Sequence, residues 1–308
     1  MKHERMISAE ITVTYDDETG SVEFYSDNGI LMPDWMERAK IKRDTVKSIR
    51  VAEGKVRLHH NACGKRKGKK GHHYLMFGGL KNLEKIDLTG FDTSEVDSMN
   101  HMFADCHKLK TLDFGSLDTS NVSDTGWMFY NCYSLEHVDN LKTSCEMYTP
   151  GMFCGCRSLE DIDMSNFSRS WANNDMSYMF TDCSQLISVD LSEFDMSYVS
   201  FAERMFANCT NLLEVHMGEE MEATGGSLQE MFDGCSNLET VTMPWLTIDP
   251  SDWYILGWTG WQIRLDNIFR GCPDTVQISD PVQVSGMTKW EWLKERKESE
   301  TCTWEEQE

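Results

Sequence analysis

Eight phenylalanines set the frame of this chain. Phe77, Phe103, Phe129, Phe153, Phe180, Phe206, Phe232 and Phe269 recur at intervals of 26, 26, 24, 27, 26, 26 and 37 residues, each inside the same short phrase. Met or Ile precedes the ring, and Cys follows it by three positions, with Leu80 in that place in the first copy. Leu usually follows by six, and Ile, Leu or Val by nine. A period in this range constrains the fold more than composition does. Each unit is too small to bury its apolar side alone and must bury it against its neighbours, which makes a solenoid. Such an array favours a binding surface over a catalytic pocket.

The second copy shows how one unit is built. Val96, Met99, Met102 and Phe103 step by three and four, the spacing of a helical or 3₁₀ turn with one apolar face, and Cys106 and Leu109 continue inward. Leu109-Lys-Thr-Leu112-Asp-Phe114 then alternates, with Leu112 and Phe114 on one side and Thr111 and Asp113 on the other. That is the L-x-x-L-x-L strand of a leucine-rich repeat. A turn rich in Asp, Thr and Ser follows, Leu117-Asp-Thr-Ser120-Asn121, whose side chains satisfy local backbone groups and lead into the next copy. The expected fold is an α/β solenoid, a leucine-rich-repeat array with one short parallel strand and one short helical or 3₁₀ segment per coil, capped at both ends.

Phrases such as Leu83-Glu-Lys-Ile-Asp-Leu-Thr-Gly-Phe-Asp-Thr-Ser94, followed by Met99-Asn-His-Met-Phe-Ala-Asp-Cys106, resemble the repeat of the BspA-like leucine-rich-repeat surface proteins. The likeness spans residues 74–243, with a degraded copy at 262–278, and its Met-Phe-x-x-Cys-x-x-Leu core persists through six copies. The stretch before it also resembles the segment that leads into such arrays. Ile11, Val13 and Tyr15 face Val22 and Phe24 across a Glu18-Thr19-Gly20-Ser21 turn, Met32-Pro-Asp-Trp35 reads as a loop, and Val46–Val51 as a lead-in strand. The resemblance implies a bacterial or host-associated surface protein that acts by binding, through adhesion, aggregation or recognition, with no catalytic residues. It also implies export, although residues 1–15 are mixed polar and carry no apolar secretory core.

The expected organisation is a β-rich cap with a basic loop at 1–73, about eight coils at 74–280 with the last enlarged and degenerate, and a capping helix with a charged tail at 281–308. Met287, Trp290 and Leu293 would supply the apolar face of that helix. The net charge of −22 divides unevenly, +4 in residues 1–75 and −26 beyond. An acidic array repels nucleic-acid phosphates and anionic membranes, so neither is an expected partner. No apolar run reaches the roughly 20 residues that span a bilayer. Seven of the 11 cysteines, Cys106, Cys132, Cys156, Cys183, Cys209, Cys235 and Cys272, hold one repeat position and read as a column of buried thiols, with oxidation between coils left open. Cys154 and Cys145 fall outside that column, and the lone Cys154-x-Cys156 has no second pair at zinc-finger spacing.

Three candidate sites stand out. On the strands, Asp87, Asp113, Asp139, Asp163 and Asp190 share one position, followed by His216 and Thr242. At the roughly 4.8 Å spacing of parallel strands, mutual repulsion would raise some of their pKa values or recruit a cation such as calcium, with Asp113, Asp139 and Asp163 the candidates. Alternatively, each carboxylate bonds the turn that follows it. The same column marks the concave face, where solenoids bind, and its neighbours Lys85, Thr111, His137, Asp161, Ser188, Glu214 and Thr240 vary from copy to copy. The second site is the basic insert His59 to His73, read as a solvated, mobile loop, a polyanion contact or a metal site. The third is the aromatic patch Trp245, Trp253, Tyr254, Trp258 and Trp261 in the 37-residue interval, which either binds sugar or protein or closes the end of the core.

Hydrolase, zincin and dinucleotide-binding motifs are missing from the sequence, so no enzyme activity and no cofactor are expected. The expected partner is a protein or glycan on a host or neighbouring cell. An unexported virion or intracellular scaffold of the same fold is the alternative.

Overall fold

A computed structural model describes residues 1–61, 63–65, 73–115, 117–142, 148–167, 174–194, 199–218, 228–242, 267–273, 275–279, 283–284 and 287–288. They fall into two compact units, Met1–Ser168 and Arg169–Glu308.

The first unit opens with strands β1 (Lys2–Met6), β2 (Ile11–Asp16) and β3 (Ser21–Leu31), paired antiparallel in that order. The hairpin forms where the turn signal places it, with Val13 opposite Phe24 and Gly20 at φ 73 closing the loop. The segment read as a loop ends in a short helix α1 (Trp35–Ala39), and strand β4 (Ser48–Leu58) then runs parallel to β3. Strands β5 (Cys63–Lys65) and β6 (His73–Leu75) pair antiparallel, so the ends of the basic insert, expected as a loop, close as a hairpin. Strands β7 (Lys85–Ile86) and β8 (Phe91–Asp92) both pair parallel with β4, which joins the first coil to the cap. Strands β9 (Thr111–Asp113) and β10 (His137–Asp139) form a separate parallel pair. In the second unit β11 (Asn174–Asp175) pairs with β13 (Val199–Phe201), and β12 (Ser188–Asp190), β14 (Glu214–His216), β15 (Thr240–Thr242) and β16 (Gln277–Ser279) make a four-stranded parallel sheet. Strands β17 (Gln283–Val284) and β18 (Met287–Thr288) form a hairpin, so Met287 extends in a strand instead of opening a helix; Trp290 and Leu293 lie outside the described residues.

The spine is as the period demands. Phe77, Phe103, Phe129 and Phe153 stack in the first unit at centroid distances of 5.7, 5.7 and 5.4 Å. In the second unit Phe180, Phe206, Phe232 and Phe269 stack at 5.5, 5.3 and 5.3 Å. All eight rings are buried. The last step is as short as the others although 37 residues separate its rings, so the stack keeps its spacing across the longer interval.

The three- and four-residue steps beside each Phe correspond to i→i−3 hydrogen bonds, from the Met102, Ala104 and Cys106 N–H groups to the Met99, His101 and Phe103 carbonyls. They do not merge into a helix, because the residues between them bond outward. The Met99, His101, Phe103 and Asp105 N–H groups donate to the Asp124, Gly126, Met128 and Tyr130 carbonyls of the next coil, at 2.7 to 3.1 Å. Alternation of this kind uses left-handed residues, and they recur two after every Phe and two before every Phe but the first, as at His101 and Asp105 (φ 54 and 59), Trp127 and Asn131, and Arg204 and Asn208.

Six of the column thiols are shown in a backbone role. The Sγ–H of Cys106 donates to the Phe77 carbonyl, and that of Cys132 to Phe103, of Cys156 to Phe129, of Cys209 to Phe180, of Cys235 to Phe206 and of Cys272 to Phe232, at 3.0 to 3.3 Å. Burial pushes Cys106 up to about 12 and Cys132 and Cys156 well above the usual thiol range, so they stay protonated donors. The first copy has no coil before it, hence no Phe carbonyl to meet, and carries Leu80 there.

The cap supplies what that missing coil would. Trp35, fully buried beside Phe24 at 5.0 Å, donates its indole N–H to the Met76 carbonyl at 2.7 Å. Arg43 donates to the Gly78 and Leu75 carbonyls at 2.5 and 3.1 Å. Met76 and Gly78 hold the positions of Met128 and Tyr130, whose carbonyls accept N–H groups inside the array.

Candidate recognition face

The strands expose what the alternation predicts. Thr111, Asp113, His137 and Asp139 are exposed while Leu112 and Val138 between them are buried, and Ser188 and Asp190 flank buried Val189 in the same way. Register brings like positions side by side. His137 lies beside Thr111 and Asp139 beside Asp113; in the second unit Ser188, Glu214, Thr240 and Gln277 form one row and Asp190, His216, Thr242 and Ser279 the next. Lys85 and Asp87 are exposed at the first coil, Asp161 and Asp163 at the fourth, although residues 161–163 are not in a strand. Two cross-coil pairs tie this face together in the first unit, Lys110 to Glu136 at 2.8 Å and His137 to Asp161 at 3.2 Å.

Of the two readings of the carboxylate column, four members follow the turn-bonding one. Asp87, Asp113, Asp163 and Asp190 accept the N–H two residues on, from Thr89, Gly115, Ser165 and Ser192, at 2.8 to 2.9 Å. Asp113 is held below the usual carboxylate range by Asn140, whose amide donates at 2.7 Å, and then by the Gly115 N–H. Asp163 and Asp190 are lowered by their bonds to Ser165 and Ser192. Asp87, Asp113, Asp163 and Asp190 are therefore turn anchors, and short local bonds favour the ionised form of Asp113, Asp163 and Asp190.

Asp113, Asp139 and Asp163 line one shallow cleft of about 220 Å³ with Val138, Asn140, Leu141 and Asn166. The Asp139 carboxylate makes no hydrogen bond among the described residues. Those residues contain no group of three or more His, Cys, Asp or Glu side chains placed to hold a metal ion.

In the basic insert, His60 sits 3.2 Å from Asp97 and tilts against His59 at 4.2 Å. With Lys55 to Asp92 at 2.9 Å and Arg57 to Glu95 at 3.7 Å, it continues a strip of ion pairs between β4 and the first coil. Partial burial works to raise Asp92, but bonds from Lys55 and the Ser94 N–H outweigh it and hold this carboxyl at about 2. The aromatic patch Trp245, Trp253, Tyr254, Trp258 and Trp261 lies outside the described residues. A different aromatic column emerges four residues after the spine rings, where Tyr133 stacks on His107 at 4.6 Å and Arg157 covers its ring at 4.7 Å. Its sequence signal was the recurrence of large side chains at that offset in three successive copies.

No curated protein matches the chain. A crystal structure of a leucine-rich repeat protein from Eubacterium ventriosum ATCC 27560 is similar at 14% identity, over 92% of this chain and 86% of that one, with a TM-score of 0.32. The profile of a family described as "Mycoplasma protein of unknown function, DUF285" matches residues 73–167 and again 137–245, the stretch that carries the Phe-Cys-Leu phrase. These two matches cover more than half of the 308 residues, and the chain belongs to the DUF285 family.

Proposed function

We propose that this protein is a non-catalytic recognition module, displayed at a cell surface in the manner of an adhesin, that binds a protein or a glycan through its exposed strand positions. One observation carries the reading. Within each unit the inward residues repeat almost unchanged, while Lys85, Thr111, His137 and Asp161, and Ser188, Glu214 and Thr240, differ in charge, size and hydrogen-bonding capacity at equivalent places. Solvated positions tolerate such differences, and here the differing side chains stand in register on a fixed backbone. A rigid ladder of differing side chains is what selective recognition uses, because the backbone is ordered before the partner arrives.

The test compares the chain with a variant carrying His137→Ala, Asp161→Ala, Ser188→Ala and Glu214→Ala, both immobilised and exposed to host-cell proteins and to a glycan array. Ligands retained by the wild type and lost by the variant, at equal melting temperature, support the reading. An identical set of ligands on both refutes it.

A further inference from the structure

Two aliphatic side chains stand in water on the second unit, at a position where other coils carry charge. Seven residues after the spine rings come Glu84, Lys110, Glu136, Glu160, Ile187, Leu213 and Glu239, with Val276 buried at the last coil. Ile187 is 48% exposed and Leu213 38%. The Leu213 N–H donates to the Ile187 carbonyl at 2.8 Å, and the Glu239 N–H to the Leu213 carbonyl at 2.9 Å, so the two lie on adjacent coils, one strand spacing apart. Single exposed aliphatics are ordinary, whereas a stacked pair makes a patch. In the first unit the same position ties coils together by charge, Lys110 reaching Glu136 at 2.8 Å. Ile187 and Leu213 give the array no such bond.

The surroundings are polar before the pair and anionic after it. Asn211 donates to the Gln185 side chain at 3.2 Å, so the preceding ladder is satisfied within the chain. The rows of Ser188, Glu214 and Thr240 follow. Glu214 pairs with His216 at 2.9 Å, and the Glu239 carboxylate makes no hydrogen bond or ion pair among the described residues. The described Lys and Arg residues of this unit are Arg204 and Arg270, which pair with Glu230 and Asp233 beside the spine rings. The described strand rows around the pair therefore carry carboxylates and no Lys or Arg.

We propose that Ile187 and Leu213 are the apolar centre of a protein-binding site, which takes an aliphatic side chain of the partner with Lys or Arg residues beside it facing Glu214 and Glu239. This rests on the reading of the strand face as the recognition surface and decides for a protein over a glycan. A sugar packs against aromatic faces, and this pair offers none. A small apolar centre inside a polar, charged rim is the anatomy of a protein contact, and the sign of the rim selects basic residues on the partner. A second copy of this chain does not fit through the same surface, because like carboxylates would meet.

The experiment uses the full chain and a fluorescein-labelled hexapeptide of alternating Lys and Leu, read by anisotropy. Its controls are alternating Lys and Ser, which keeps the charge, and alternating Glu and Leu, which keeps the apolar side chains. The Lys-Leu peptide should bind saturably, the Lys-Ser peptide about tenfold more weakly, and the Glu-Leu peptide not at all. Ile187→Ser with Leu213→Ser should bring the Lys-Leu affinity down to that of the Lys-Ser peptide. Glu214→Gln with Glu239→Gln should weaken it about fivefold. Phe201→Ser, which removes another exposed apolar side chain of the same unit, should leave it unchanged. In the wild type the Ile187 and Leu213 methyl resonances should shift when the Lys-Leu peptide is added, a readout independent of any variant's folding. Equal affinity for the two Lys peptides reduces the contact to charge and overturns the proposal. Unmoved methyl resonances, no saturable binding, or a loss at Phe201→Ser as large as that of the two Ser changes overturns it as well. If the two Gln changes weaken binding and the Ile187 and Leu213 changes do not, the strand face still recognises a partner but its apolar centre is not here.

Discussion

Replacing Trp35 by 3-benzothienylalanine, in which sulfur stands for the indole N–H, tests how the array is capped. Inside the array the Met128 carbonyl accepts the Phe103 N–H at 3.0 Å. The equivalent Met76 carbonyl has no coil before it and accepts the Trp35 indole N–H at 2.7 Å. Both Trp35 and Met76 are 0% exposed, so water cannot replace a lost donor. A buried carbonyl left unsatisfied costs about 1–3 kcal/mol. The replacement keeps ring shape and volume, so this should be nearly the whole effect, whereas Trp35→Phe adds the loss of part of the ring at about 0.8 kcal/mol per buried methylene-sized group. Urea unfolding followed by circular dichroism should show a lower midpoint at unchanged slope. Hydrogen exchange should localise the loss to the Phe77 and Gly79 amides, which bond the second coil. A benzothienyl protein within about 0.3 kcal/mol of wild type, below the range for an orphaned carbonyl, with unchanged exchange at those amides, would refute the capping role.

Phe180→Ala should cost about 3–5 kcal/mol, as for other fully buried rings, and a negligible shift in melting would place this ring outside the core. Gly155→Ala should cost about 1–2 kcal/mol by thermal melting, since the residue sits at φ 81 and a Cβ there would lie 2.8 Å from Asn131 Oδ1; an unchanged melting temperature would show that the turn relaxes freely. Asp92 is depressed to about 2, so it contributes stability above its unfolded value near 3.9, and that contribution is lost as pH falls from about 4 toward 2. Asp92→Asn should flatten the melting profile across that window, and a parallel profile would contradict the assignment.

The spine was legible because it obeys a period, and the hairpin because alternation and a Gly turn coincide. The ladder of turns was not, although half its signal was present. The position two after each Phe holds Gly79, Asp105, Asn131, Gly155, Asp182, Asn208, Gly234 and Gly271, the residue types that tolerate a left-handed backbone. The position two before holds Gly151 and Asn267, which signal it as well, but also His101, Trp127, Tyr178, Arg204 and Glu230 in the same conformation, and nothing in those five side chains announces it. Neighbouring coils impose it through the outward N–H bonds. Of the two readings of the carboxylate column, Asp87, Asp113, Asp163 and Asp190 follow the turn-bonding one. Stacking by itself suggests repulsion, but an N–H donor two residues on lies 2.8 to 2.9 Å from each of these four carboxylates.

The strained column also shows why a coil has no stable conformation by itself. A large L-residue in the left-handed region costs about 1–2 kcal/mol, and alternate N–H groups of each turn segment face outward with no partner inside their own coil. Both costs are offset only across the gap to the neighbour. His101 stacks with Trp127 at 6.5 Å, and Arg204 pairs with Glu230 at 3.1 Å, in each case joining two strained residues in adjacent coils. The N–H groups beside them find carbonyls in the same neighbour. The strained residues thus also contact one another across the gap. The strand face carries no such coupling between its Thr111 and Asp113 rows and the backbone beyond one Asx bond per coil. Its residues are free to differ, which is the property a recognition surface needs.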